Sequence, residues 1–447
     1  MKPTLLILLF IVASCASSQN PLKVNQNAEG FNWEDNFISV MQGPAQDDRT
    51  VINFMIPKSL KYEVMIFEKI GRKVLPDAVS SERVFTREYS PWKVVETEIK
   101  GLKPNTNYLF TINLYNGKRS ISEVREFSTI DTKEKNLKFM LASCMSDSYA
   151  YVGNTAWPSV LKHDPQVYLL IGDQVYADIY GIRYLNFAAD ERQLWNRYVS
   201  ARNSLALYRQ QKLKPVYALW DDHDYGKNNG NKNYPYKNEA KKVLRSFFPV
   251  PKYSNIDLGP GVSYSLTLGE QNFYFLDNRS FRDSNELKSG DHFGKEQTDW
   301  LFNKLQKNTS SNGHWIVSGD QFFGGYHSYE SFEGNHPEKF NQFKERLKES
   351  KKKVIFLSGD RHLVELMKID EKEIGHNTFE ITSSGLHSHL YPGELARSSN
   401  KRRLDGVDGR YNFAIIESKL DGENLDIYFR SMSQTNLTLL KQKLLVK

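Results

Sequence analysis

Five times along this chain an apolar run reaches a turn and ends on a side chain able to carry negative charge. Residues 137–143 lead into Cys144, 167–172 into Asp173, 216–220 into Asp221-Asp222, 314–319 into Asp320, and 354–359 into Asp360. Short apolar runs of this kind are strands buried on both faces. α/β folds bind ligands at the rim formed by the carboxyl ends of their strands. One Asp there is a helix cap; five ligating positions on one rim make a site. Residues 136–447 are therefore expected to form an α/β domain with its chemistry along one sheet edge.

The densest strand end is Asp221-Asp222-His223-Asp224, followed by Asn228-Asn229. Carboxylates massed beside a buried strand repel one another and lose hydration unless positive charge compensates. Multivalent cations in oxygen-rich loops supply that charge. Tyr176 follows Asp173 by three residues, a spacing that on a helical turn puts both on one face. Arg361-His362 adds an imidazole directly after Asp360. Asp, Cys, Tyr and His together span hard and soft preferences, which favours two unlike metals over an identical pair. His163, His314 and His376 fall outside these motifs and read as satisfied polar residues.

At 447 residues the chain is long enough for two or three units, and its 39% hydrophobic and 13% aromatic content excludes a disordered chain. The net charge of +7 is modest for this length. No basic, aromatic-interleaved stripe suggests nucleic acid. Met1-Lys2 and the eight apolar residues 5–12 read as a signal peptide over 1–14, too short to span a bilayer. Val12-Ala13-Ser14-Cys15 resembles a bacterial lipobox. It implies lipidation of Cys15, a membrane-anchored tether over 15–35 and, because Ala16 follows, a periplasm-facing place at the outer membrane. Cys144 would then have no disulfide partner, so it should be buried or bound to metal.

Residues 36–130 are divided into short alternating runs by turn residues, an all-β pattern. Leu102-Lys103-Pro104-Asn105-Thr106-Asn107-Tyr108 resembles the corner of fibronectin type III sandwiches, and nothing catalytic clusters there.

Four motifs together, Gly172-Asp173-Gln174-Val175-Tyr176, Trp220-Asp221-Asp222-His223-Asp224, Leu276-Asp277-Asn278-Arg279 and Ser358-Gly359-Asp360-Arg361-His362, resemble the alkaline phosphatase D (PhoD-like) family of calcineurin-like metallophosphoesterases. The resemblance runs from about Lys138 to the C-terminus and implies a four-layer αββα sandwich behind the β-rich module. It also implies a phosphate-ester substrate and a binuclear centre of Fe3+ and Ca2+. Cys144, Asp173, Tyr176 and His362 would serve iron, with Asp173 bridging, and Asp222 and Asp360 would serve the second metal. A metal-bound hydroxide would attack phosphorus, His223 would assist the leaving group and Arg279 would clamp phosphate. Asp224 stands where relatives often carry Glu, as a candidate orienter of His223, and Asp320 where Asn or His is common. Residues 324–333 are a candidate lid. A large-diester or phospholipase D-like enzyme and a non-catalytic binding lipoprotein are the alternatives.

Overall fold

The runs that end on charged residues lie in two separate sheets. A computed structural model describes residues 37–447 apart from 79–80, 90, 180–187, 254 and 309–312. The leader, Cys15 and tether expected over 1–35 lie outside the described residues. One sheet has six strands in the order Val216–Leu219, Val167–Ile171, Asn136–Ala142, Asn412–Asp421, Asn424–Ser433 and Thr438–Val446. Its first three strands are parallel and the last three antiparallel. The other sheet has eight strands, in the order Ile256–Leu258, Tyr264–Leu268, Gln271–Phe275, His314–Val317, Val354–Ser358, Thr378–Ser383, Val364–Ile369 and Arg403–Val407. The central four, from Gln271–Phe275 to Thr378–Ser383, are parallel.

Successive strand residues point to opposite faces, which explains why these runs are apolar throughout. Phe273, Trp315, Val317, Ile355 and Leu357 join a core shared with the six-stranded sheet. Their neighbours Tyr274, Ile316, Val354 and Phe356 enter a second core with Phe302 and Leu305 of helix Lys295–Lys307 and Phe343 and Leu347 of helix Pro337–Ser350. Phe139 closes the seam between the sheets, with its ring 5.6 Å from Phe273 and 5.4 Å from Trp315. Each such buried aromatic contributes roughly 1.5–3 kcal/mol by leaving water. Helix Ala150–Lys162 sets Trp157 against Tyr168 of the six-stranded sheet, at 5.8 Å.

Residues 39–128 form two four-stranded antiparallel sheets. One runs Ser39–Ala45, Arg49–Pro57, Trp92–Lys100, Ser81–Tyr89, and the other Lys73–Ala78, Lys61–Ile70, Asn107–Tyr115, Ser120–Ser128. Alternation is plain in Asn107–Tyr115, where Tyr108, Phe110, Ile112 and Leu114 are buried. The Tyr108 hydroxyl accepts the Lys103 N–H at 2.8 Å and ties down the corner.

The N-terminal sheets are joined to the α/β part through polar contacts, the deepest of them at Arg202. Arg202, on helix Glu191–Ser204, is fully buried. It donates to Ser39 Oγ at 2.6 Å, to Asn53 Oδ1 at 2.8 Å, and to the carbonyls of Ser39 and Asn53 at 3.1 Å each. Asn53 in turn donates to the Ser246 carbonyl. Glu126 exchanges main-chain hydrogen bonds with Gln211 and Leu213, both at 2.7 Å. No helix among the described residues is long and apolar enough to cross a membrane.

Candidate metal centre

Glycine lets the strand ends crowd together, both within one sheet and between the two. Gly172 has a φ of 107°, and a Cβ there would stand 2.6 Å from Asp221 Cβ. A Cβ on Gly359 would stand 2.5 Å from Ser143 Oγ. Immediately after these junctions the backbone is left-handed at Cys144, Asp173, Asp360 and His362, with φ of 60°, 54°, 64° and 52°. Non-glycine residues held there cost of order 1–3 kcal/mol each, and such strain gathers at functional sites.

Three overlapping groups of donor atoms result, each with all members within 4.8 Å: Cys144, Asp173 and His362; Asp173, Asp222 and His223; and Asp221, Asp222 and Asp360. Asp173 belongs to the first two groups and Asp222 to the last two, so the groups form one chain. Cys144 Sγ lies 3.5 Å from Asp173 Oδ2 and receives the Ser384 hydroxyl at 3.1 Å. The Tyr176 hydroxyl lies 3.2 Å from His362 Nε2. Asp222 accepts the backbone N–H groups of His223 and Asn229, both at 2.8 Å.

Charge makes this arrangement costly without a cation. Burial, then the charges of Cys144, Asp222 and Asp221, push Asp173 well above the usual carboxylate range despite the pull of His223. Burial, then Asp221, Asp222 and Glu330, do the same to Asp360. Burial pushes the Cys144 thiol up to about 12 and Tyr176 well above an ordinary phenol. Burial holds His362 down to about 4, leaving a neutral imidazole lone pair at ordinary pH. Asp221 Oδ2 is buried with no hydrogen-bond partner. Anionic donors that repel one another, a neutral imidazole and an orphaned carboxylate oxygen fit multivalent cation binding.

His223 is set by a residue that sequence patterns do not single out. Its Nδ1 lies 2.7 Å from Asp178 Oδ1, and Asp178 also accepts the Asn228 N–H. Burial alone would lower the His223 pKa, but Asp222, Asp178 and Asp173 outweigh it and raise it well above an ordinary histidine. The candidate orienter Asp224 instead accepts backbone N–H groups of Val175 and Asp221. Asp178 has no motif around it; only its spatial contact with His223 reveals it.

Other expectations need correction. No helical turn joins Asp173 to Tyr176, because Asp173 is left-handed and Tyr176 comes round on a loop. Arg279 does not line the cavity as a phosphate clamp. It is fully buried and committed to Asp221, through Nε at 2.7 Å, and to Glu330 at 2.7 Å. Asp320 stands apart from the donor groups, paired with Arg282 at 2.9 Å and His292 at 3.0 Å. His163, His314 and His376, as expected, lie outside the donor groups and contact Asn436, Tyr274 and the backbone of Val354.

Arg279 thus ties the rim to the segment carrying Glu330. Arg279→Ala should cost about 3 kcal/mol of unfolding free energy, the low end for breaking a buried pair, because Arg282 and Asn278 still reach Glu330 and Asp221. Chemical denaturation reads this directly, and an unchanged midpoint would rule the latch out.

Asp173, Tyr176, Asp222, His223, Asp360 and His362 all line one cavity of about 670 Å³, together with Asn228, Asn229, Asn285, Lys288, Tyr329, Glu330, Arg361, Tyr391 and Glu394. Ser328, Tyr329 and Glu330 bring the candidate lid segment to its wall.

Two mixed sheets with potential metal donors gathered at their strand ends define a metallophosphoesterase-like α/β fold. The chain belongs to the PhoD-like phosphatase family, whose model matches residues 139–413. It is 24% identical over 364 residues to alkaline phosphatase D of Bacillus subtilis (strain 168), a match covering 71% of this chain and 59% of that protein. A solved structure of PhoD superposes at a TM-score of 0.68 with 18% identity, over 91% of this chain and 88% of that one, which establishes the shared fold.

Proposed function

We propose that this chain hydrolyses phosphate esters at a binuclear metal centre within a four-layer αββα catalytic unit. The observation that carries the reading is the meeting of Cys144, Asp173, Tyr176, Asp222, Asp360 and His362 from four separate strand ends, with all of them but the buried Cys144 lining one cavity. In this reading Cys144, Asp173, Tyr176 and His362 would hold Fe3+. Asp222 and Asp360, joined by the orphaned Asp221, would hold Ca2+, and Asp173 is shared by the two donor sets. Bound there, such cations supply charge to phosphoryl oxygens and lower the pKa of a water from about 15.7 to near 7. Hydrolysis would join that water's oxygen to phosphorus as the ester P–O bond breaks, with the water's proton released to solvent. His223, with Nδ1 held by Asp178, carries the proton on Nε2 that the departing alkoxide takes up. Arg279 acts at one remove, by holding Asp221 and Glu330 in place.

The reading extends to location and organisation. Lipidated Cys15 anchors the enzyme at the bacterial envelope, facing the periplasm from the outer membrane. Residues 15–35 act as a tether. Residues 36–130 form a fibronectin type III-like sandwich before a catalytic domain over 136–447.

Purified protein should contain iron and calcium by elemental analysis and should hydrolyse bis(p-nitrophenyl) phosphate until chelated. A phenolate on ferric iron absorbs visible light, so Tyr176→Phe should abolish a charge-transfer band. Metal-free protein with full activity overturns the reading, and an unchanged spectrum removes Tyr176 from the iron.

A further inference from the structure

A cavity of about 670 Å³ is the size that encloses a drug-sized organic ligand, well beyond what gripping one phosphoryl group requires. Part of its wall is aromatic. Tyr329 and Tyr391 reach it from different loops and remain 51% and 41% exposed. Single exposed aromatics are ordinary on a protein surface. Here both line one cavity, and each ring is backed by the protein.

The Arg361 guanidinium sits 4.3 Å from the centre of the Tyr329 ring. Arg361 is itself 5% exposed and held by Glu394 at 2.9 Å, and the Tyr329 hydroxyl reaches the other oxygen of Glu394 at 3.4 Å. The His362 ring lies 5.3 Å from Tyr391 at 44°, and the His389 ring meets Tyr391 at 4.8 Å, nearly perpendicular. Rings fixed in this way lose little freedom when a ligand arrives, so stacking on them is not offset by ordering. Tyrosine faces of this kind take planar rings. Lys288 lines the same cavity with its Nζ on the Gly334 carbonyl, placing a cation within reach of polar ring substituents.

We infer that Tyr329 and Tyr391, backed by Arg361 and His362, form a subsite for a planar ring on one ester arm. The substrates are then phosphodiesters of a nucleoside or an aryl alcohol, ahead of simple alkyl phosphates. This rests on the hydrolase reading above and specifies its substrate class.

The test uses metal-loaded full-length protein and three diesters of glycerol 1-phosphate whose second arm is ethyl, phenyl or thymidine 5′-yl, with products separated by chromatography. The wild type should show at least about tenfold higher kcat/KM for the thymidine diester than for the ethyl one. Tyr329→Ala and Tyr391→Ala should each lower that ratio at least threefold, whereas Tyr329→Phe, which keeps the ring, should preserve it. The ratio is decisive because leaving-group reactivity cancels between variants. A drop for phenyl as well as thymidine assigns the subsite to the ring face alone; a drop for thymidine only assigns it to nucleosides. Equal kcat/KM for ethyl and thymidine arms in the wild type, or a ratio unchanged in both alanine variants, overturns the subsite and leaves the hydrolase reading standing. No turnover of any diester by protein shown to hold metal overturns both.

Discussion

Asp173→Asn should lower kcat for a chromogenic phosphodiester by at least about a thousandfold, a loss of about 4 kcal/mol of transition-state stabilisation. Asp173 is the one carboxylate common to the donor group containing Cys144 and His362 and to the group containing Asp222 and His223. Its loss therefore disturbs both proposed metal positions together, where a peripheral ligand would disturb one. The amide is nearly the same size, so the fold should be kept, and an unchanged denaturation midpoint beside the lost rate would show this. Elemental analysis should find less than the wild-type metal content. Near-normal turnover with full metal content would remove Asp173 from its bridging place.

His223→Ala should slow hydrolysis of an alkyl phosphodiester by at least about a hundredfold, the usual contribution of a positioned proton donor. The loss should fall on kcat and be smaller for an ester whose alcohol leaves without a proton, such as p-nitrophenolate, than for an alkyl ester. Three carboxylates raise the His223 pKa in the absence of metals. Cations on Asp173 and Asp222 would cancel two of them, so Asp178 remains as the group that keeps the imidazole protonated. A raised pKa means the acid form persists to higher pH. Asp178→Asn should therefore move the alkaline limb of the kcat profile to lower pH, leaving metal content unchanged. An alkaline limb that stays in place would deny Asp178 this role.

Much of the site was legible because strand ends carry a local signature. At Gly172 and Gly359 a side chain would collide with a neighbouring strand end, so glycine followed by Asp marks a place where strand ends crowd together. Roles that depend on distant partners were not legible. Asp178 lies in a stretch without pattern and gains meaning only from the imidazole of His223. The Arg279 motif is visible, but its guanidinium is occupied by carboxylates from two other segments, which local sequence does not reveal. Three-residue spacing suggested a helical turn at Tyr176, yet Asp173 is left-handed, which no right-handed turn accommodates. The α/β character could be read from apolar runs. The placing of residues 412–446 as three antiparallel strands beside Asn136–Ala142 could not, because alternation specifies a face and not a partner.

The junction at Arg202 has a consequence for anyone who would dissect this protein. Its guanidinium belongs by sequence to the hydrolytic half but takes its acceptors from the front half, at Ser39 and Asn53. Trimming the chain to begin near residue 136 would hand that guanidinium to water and bare apolar residues that share one core with the front half, a liability for expression and solubility. The front half is thus a keystone of the enzyme rather than a bead on a string, and grafting a different module in its place would require recreating those acceptors.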